Sequence, residues 1–287
     1  MDQYAAFGEY AVAKRAGLEY HTVAKAKWQG KGQARADWRG YAHPDIRGGW
    51  FIGMPDDDFQ TEAHFHKRPI LDAATRSVEY LAEHGAPIAP TQKHYSVSTM
   101  PDHIEGVLAL DTEGQGRVLR ASAAWVDESG IHACSLPWNE PARRWFARAC
   151  QQATEVVMWH AKHDVDLLAQ DNVYVDSGSV HDAMDAHQIL HPGFKRGLGH
   201  AAPLYGCFQM WKHWAQNDPE EYSLYDAFVP LVMWLRMREV LEETHRWRLY
   251  LMERAFQGSI QFSAKPRWEG DENAVTKAAG LLEGGVQ

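Results

Sequence analysis

Between Gly106 and Gly114 an apolar run, Val107 to Leu110, stops at Asp111, Thr112 and Glu113. Consecutive apolar residues bounded by glycine predict a buried strand, and alternation along it places Asp111 and Glu113 on one face at its end. Downstream, Arg117 to Val126 and Ile131 to Leu136 read as strands around a turn at Asp127 to Gly130, which predicts an antiparallel meander. Glu140 to Ala153 follows as a helix, with Pro141 in its first turn and Trp145, Phe146, Ala149 and Cys150 on its inner side. Glu155 to His160 is the next short apolar strand. A helix between it and the preceding strand implies a crossover, hence an α/β fold with a mixed sheet. A long helix is expected from Tyr222 through Leu231, Val232, Leu235, Met237 and Val240.

Upstream, Pro69 to Glu83 predicts a helix with Ile70, Ala73, Val78, Leu81 and Ala82 close to one face and Gly85 as its stop. Pro87, Pro90 and Pro101 bracket a linker, so a boundary is expected near residue 103. Three parts follow: an N-terminal extension over 1–103, a central domain over 104–245, and a C-terminal tail over 246–287, and the stretch Thr244 to Phe262 that leads into the tail continues helical and aromatic.

Composition sets bounds on this picture. A chain of 287 residues, 45% apolar and 11% aromatic, is globular and long enough to bury a core. It has no run of about 18 apolar residues and no charged-then-apolar start, so a cytoplasmic protein without membrane contact is expected. Cys134, Cys150 and Cys207 lie far apart, which excludes a disulfide framework and points to reduced core thiols. The formal charge of −9 disfavours a protein that coats nucleic acid through phosphate contacts. It leaves room for an enzyme that grips a strand end through metal ions. Residues 1–50, from Lys14 to Arg47, carry only a weak basic excess.

Two like charges at one strand end repel unless a cation lies between them, and hard divalent ions prefer carboxylate oxygen. Asp111 and Glu113 therefore read as half of a metal site, or as two solvated carboxylates where a strand meets a loop. Asp164 follows the strand ending at His160 and stands where ligands collect in α/β sheets, although one Asp there also suits a helix N-terminus. Tyr222 and Asp226, four apart on a helix, can face the same space, where a phenol and a carboxylate would orient a water. Two histidine pairs offer a rival zinc reading, His187 with His191 and His64 with His66, without a third ligand at a recognisable spacing. Trp211 and Trp214 are the tryptophans to test for base stacking.

Asp-x-Glu ending a first strand, an Asp opening the helix after a later strand, and Tyr-x-x-x-Asp on a C-terminal helix form an ordered combination. It resembles the DEDD 3′–5′ exonuclease superfamily, in the Tyr-containing branch that includes the proofreading domains of family A DNA polymerases and the ribonuclease D group. The resemblance spans about Gly106 to Glu243. It implies an RNase H-like mixed sheet with flanking helices, two Mg²⁺ or Mn²⁺ ions held by Asp111, Glu113, Asp164 and Asp226, and catalytic roles for Tyr222 and Glu113. Val180 to Met184 resembles the segment between the second and third motifs, where Asp182 is structural. The family usually has Asn where this chain has His160 and an aromatic where it has His163; these two positions would contact the terminal nucleotide. Lys195 and Arg196 could contact phosphate.

Phe7 to Ala11, then His43 to Arg47, then the helix from Leu71 resemble the C-terminal half of a bacterial or archaeal uracil-DNA glycosylase. Asp45 replaces the serine of that family's His-Pro-Ser segment, and its early pocket residues and cluster cysteines have no counterpart, so no glycosylase activity is expected. The expectation for the whole is a metal-dependent exonuclease on single-stranded DNA 3′ ends, associated with a DNA polymerase domain or subunit. RNA is the alternative substrate, and a non-catalytic nucleic-acid-binding or docking module is the alternative class.

Overall fold

The computed structural model describes residues 76–263, apart from Val78, Ala82, Gly193, Lys195 and Met210, together with two strands nearer the N-terminus. Those strands, β1 (Glu19–Val23) and β2 (Trp38–Ala42), pair antiparallel as a separate two-stranded sheet. The glycosylase-like segments, the His64–His66 pair and Lys195 lie outside the described residues.

The expected meander is present. β4 (Val107–Glu113), β5 (Arg120–Asp127) and β6 (Gly130–Pro137) pair antiparallel in sequence. α1 (Glu140–Gln152) then carries the chain over to β7 (Glu155–Met158), which lies parallel to β4 on its other side. Asn139 caps α1 by accepting from the Ala142 amide, Pro141 sits in the first turn, and Ala142, Trp145, Phe146, Ala149 and Cys150 are buried. α2 (Ala161–Gln170) leads to β8 (Val180–Asp182), parallel to β7. α3 (Ala183–Leu190), the short α4 (Leu198–Ala201), the long α5 (Pro219–Glu243) and α6 (Trp247–Ser263) follow. With an edge strand, β3 (Gln92–His94), the sheet is six-stranded and mixed, in the order β3-β6-β5-β4-β7-β8, with helices on both faces.

Two features move the expected boundaries. β3 (Gln92–His94) lies in the Pro-bracketed stretch read as a linker, yet it pairs parallel with β6 at the sheet edge, and Ile104 is buried. The boundary expected near residue 103 therefore falls inside the sheeted unit. At the other end, α6 is no free tail. Tyr250 is wholly buried, stacks with His181 and shares a hydrogen bond of 3.1 Å with it, tying α6 to β8. Of the helix expected over 69–83, residues 76, 77, 79–81 and 83 are helical, and Gly85 ends it in the left-handed conformation at φ 70°.

Alternation along the strands sorts the core into two layers. Leu108, Leu110, Trp125 and Met158 face α1 and α2, whereas Ala109, Ala124, Ala133 and Val157 face α5. Ala109 is opposite Ala124, and Ala124 opposite Ala133, so a row of alanines runs across three strands. A row of methyl groups lets a helix approach closely, and α5 is buried on nearly every side from Ser223 to Trp234. Pro219 opens α5 and Asp218 caps it, three residues earlier than the tyrosine expected to start it. Pro230 withholds the N–H that the Asp226 carbonyl would otherwise accept. Among the described residues no helix is long and apolar enough to cross a membrane.

Candidate metal centre

β4 brings the site together through its alternation. Asp111 and Glu113 continue the face of Ala109 and point toward α5, where Tyr222 and Asp226 stand one turn apart. Ligand oxygens of Asp111, Glu113 and Asp226 lie within 4.8 Å of one another, and this is the only such His, Cys, Asp and Glu group among the described residues. Thr112 points the opposite way and meets the helix after β7. Its amide donates to Asp164 Oδ1 at 2.9 Å and its hydroxyl donates to the same oxygen at 2.6 Å. Asp164, 2% exposed in the first turn of α2, is thus clamped to the strand that carries the other carboxylates.

Asp182 fixes the start of α2. Its Oδ1 accepts from the His160 and Met184 amides and its Oδ2 from Ala161, so one carboxylate holds the N-termini of both α2 and α3. This is the structural role expected of it. His160 adopts the left-handed conformation, φ 68° and ψ 56°, which His, Asn and Asp tolerate better than other residues with a Cβ. The turn directs His160 into a cleft of about 340 Å³ that is also lined by Asp111, Trp159, Met184, Arg196, Leu198, Lys212 and Asp226. His163 is exposed on α2 and is not among the lining residues.

Three of the carboxylates, Asp111, Glu113 and Asp164, are disfavoured as anions. Asp111 Oδ2 is buried with no hydrogen-bond partner. Burial, and then the charges of Asp164, Asp226 and Glu113, hold the Asp111 carboxyl well above the usual range. Glu113 is pushed up to about 7 by burial first and Asp226 second. Asp164 also rises to about 7 through burial, although its bonds from Thr112 pull the other way. The Tyr222 phenol is raised by burial and by the neighbouring Asp226 and Glu113. An all-oxygen donor set with an orphaned buried oxygen and mutual repulsion fits a hard divalent cation.

Lys212, which nothing in the sequence pattern singled out, partly offsets this charge. Its Nζ lies 2.5 Å from Asp226 Oδ1. Trp211 donates its indole N–H to the same oxygen at 2.6 Å. Trp211 is 3% exposed, so the stacking role considered for it is replaced by that of a buried donor. Trp214 packs edge-on against Tyr225, and neither tryptophan lines the cleft. The zinc reading of His187 and His191 gains no third ligand, since among the described residues no group of three His, Cys, Asp or Glu ligands includes them; His187 is wholly buried, with its Nδ1 bonded to the Tyr205 hydroxyl at 2.9 Å. The cysteines are free and buried, as expected. Thr112 had a signal in the sequence, a hydroxyl residue between two carboxylates at a strand end. Lys212 had none, since its relation to Asp226 is purely tertiary.

These shifts predict how stability depends on pH and metal. The folded-state values of Glu113 and Asp164 lie above the ordinary carboxylate range, so between about pH 4 and pH 7 these two groups hold more protons in the folded chain than in the unfolded one. Their contribution to metal-free stability is therefore lost as pH rises through that window. His181, whose buried imidazole is held down to about 3, gives the opposite slope below about pH 6.5. The difference in Tm between Mg²⁺ and chelator isolates the carboxylates. It should be near zero at about pH 5 and grow to about 5 °C by about pH 8, corresponding to about 2 kcal/mol. A difference that is flat or shrinks with rising pH would contradict the carboxylate assignment.

The chain matches no protein-family model and no curated protein sequence.

Proposed function

We propose that the protein is a metal-dependent 3′–5′ exonuclease acting on the 3′ end of a single-stranded nucleic acid, DNA in the first instance. The observation that carries this reading is the convergence of Asp111, Glu113 and Asp226 from β4 and α5 around the unpartnered Asp111 Oδ2. Tyr222 stands beside them, while Asp164 lies outside this three-carboxylate group, bonded to Thr112, and acts on Asp111 through its charge.

Asp111, Glu113 and Asp226 would hold one divalent ion, and Asp111 with Asp164 would share a second. Such ions supply a hydroxide near neutral pH and neutralise the leaving 3′ oxygen. The protein's own residues supply position and exclusion. Tyr222 keeps its proton, because burial and the adjacent carboxylates oppose its ionisation. A protonated phenol beside Glu113 and Asp226 can orient the attacking water and donate as charge develops. The cleft, near the lower end of the range of about 300–1,000 Å³ for small-ligand sites, suits one terminal nucleotide. Trp159, Met184 and Leu198 offer it an apolar wall, while His160 and Arg196 line the same cleft with polar groups. A polymerase domain or subunit that delivers a mispaired 3′ end is the partner this reading favours.

A second reading has its own observation. The Lys212–Asp226 ion pair, if permanent, would block a divalent ion and leave a nucleic-acid-binding module without hydrolysis. A single strand labelled at its 5′ end separates the two. In Mg²⁺ or Mn²⁺ the label should appear on a ladder of progressively shorter products, and chelator should stop it. Strand binding without shortening would support the binding module, and shortening from the 5′ end would overturn the polarity. The same assay on an RNA strand of equal sequence determines whether a 2′ hydroxyl is accepted.

A further inference from the structure

We infer that Lys212 is a tethered stand-in for the divalent cation, neutralising Asp226 when the site is metal-free and moving onto a substrate phosphate when metal enters; this rests on the exonuclease reading above. Lys212 begins a short 3-10 turn, Lys212–Ala215, directly after the buried Trp211. Its ammonium and the Trp211 indole N–H both donate to Asp226 Oδ1, at 2.5 and 2.6 Å. The same ammonium lies over the Tyr222 ring at 5.0 Å and over the Trp211 ring at 5.4 Å. Its positive charge also reaches Asp111 and Glu113. It therefore stands among all three carboxylates that would hold the ion.

The two donors to Asp226 differ in what they can do. Trp211 is packed in the core with Tyr225, and its N–H orients Asp226 whether or not a cation is present. Lys212 carries a compact charge on a flexible four-carbon stem and keeps 22% of its side chain exposed. A divalent ion among Asp111, Glu113 and Asp226 would repel that ammonium, which has to leave the carboxylate. The tether limits where it goes, because Lys212 lines the same cleft as His160 and Arg196. That cleft is where the phosphodiester of a bound terminal nucleotide would lie.

Two consequences follow from the one residue. In the absence of nucleic acid, Lys212 competes with the metal and weakens its binding. With a strand present, metal and strand favour each other, since metal frees the charge that the phosphate then receives, and such coupling is reciprocal. Arginine at this position would keep the charge, whereas Met or Gln would remove it.

The test is Mn²⁺ binding to the purified full chain, read by the loss of the free-ion electron paramagnetic resonance signal. Wild type is compared with Lys212→Met, Lys212→Gln and Lys212→Arg. Both neutral variants should bind Mn²⁺ about tenfold more tightly than wild type, and Lys212→Arg should remain close to wild type. Binding of a single-stranded oligonucleotide in Ca²⁺ should show a salt slope smaller by about 0.7 in the neutral variants, the value of one lost phosphate contact. Two different neutral side chains guard against a packing fault specific to one. If wild type binds Mn²⁺ and neither neutral variant binds it more tightly, the role given to Lys212 is overturned while the metal site stands. If wild type binds no Mn²⁺, the metal reading itself falls.

Discussion

Asp111→Asn should lower metal-dependent hydrolysis by about 10³-fold or more and, in the same preparation, raise the melting temperature of the metal-free protein. The two effects have one cause. Burial and the charges of Asp164, Asp226 and Glu113 each oppose the ionisation of Asp111, with Lys212 acting the other way. Asp111 Oδ2 is buried without a hydrogen-bond donor. A carboxylate in that position costs the folded state stability unless a cation absent from the bare chain offsets it. Asn keeps the volume, removes the charge and brings an amide that can donate to a neighbouring carboxylate. The gain should be largest above about pH 7, where Glu113 and Asp164 also ionise. Thermal melts in chelator and strand-shortening assays in Mg²⁺, run on parent and variant prepared side by side, check both halves. A variant that digests at the parental rate has no catalytic Asp111. One that melts lower has an Asp111 that stabilises the fold, contrary to its surroundings.

The charge cluster was legible in the sequence because β4 is a short buried strand whose alternation is unambiguous. The apolar residues Val107 to Leu110 fixed the strand, and period two then put Asp111 and Glu113 on the face of Ala109. Asp164, Asp182 and the Tyr222–Asp226 pair were equally accessible, each standing at or near a helix start where local rules are strongest. The same rules gave the meander, α1 and the stop at Gly85. What failed was whatever depends on contacts remote in sequence. β3 has only three residues, none buried, and exists because Gln92 to His94 complete the edge beside β6. No periodicity can be read from three residues of which none is buried, so the stretch read as a linker. α6 read as tail because the pairing of Tyr250 with His181 spans 69 residues.

The tryptophans show a related limit. Composition supplied aromatic rings near the third motif, but a ring that stacks on a base and one that donates from the core to a carboxylate have the same letter. Trp211 turned out to be the second kind, and its N–H is spent on Asp226. Lys212 was missed for a different reason. In a chain with an overall formal charge of −9 a single lysine carries no pattern, yet at 2.5 Å from Asp226 it is the nearest cation to the site. Electrostatic function is decided by distance, which sequence spacing reports only within one helix or strand.

Tyr222→Phe should reduce turnover by about 100-fold while leaving Mn²⁺ affinity unchanged, and Tyr225→Phe should leave turnover within about twofold of the parent. The two tyrosines lie three residues apart on α5 but occupy different surroundings. Tyr222 is half-buried next to Asp226 and Glu113, with the Lys212 ammonium 5.0 Å from its ring centre. Tyr225 is 2% exposed, with its ring against Trp211, Trp214 and Phe228. A phenol that donates to an attacking water stabilises charge that exists mainly in the transition state, so its loss should appear in the chemical step and not in binding. Asp226→Ala is the contrasting case, since it removes a proposed metal ligand and also strips Trp211 and Lys212 of their shared acceptor. It should weaken both Mn²⁺ binding and turnover and lower the Tm by several degrees. Single-turnover rates at saturating metal, with Mn²⁺ titrations of the same three variants, separate these roles. Equal losses in the two Tyr→Phe variants, or a metal-binding defect in Tyr222→Phe, would remove Tyr222 from the chemistry and leave the carboxylates to account for it alone.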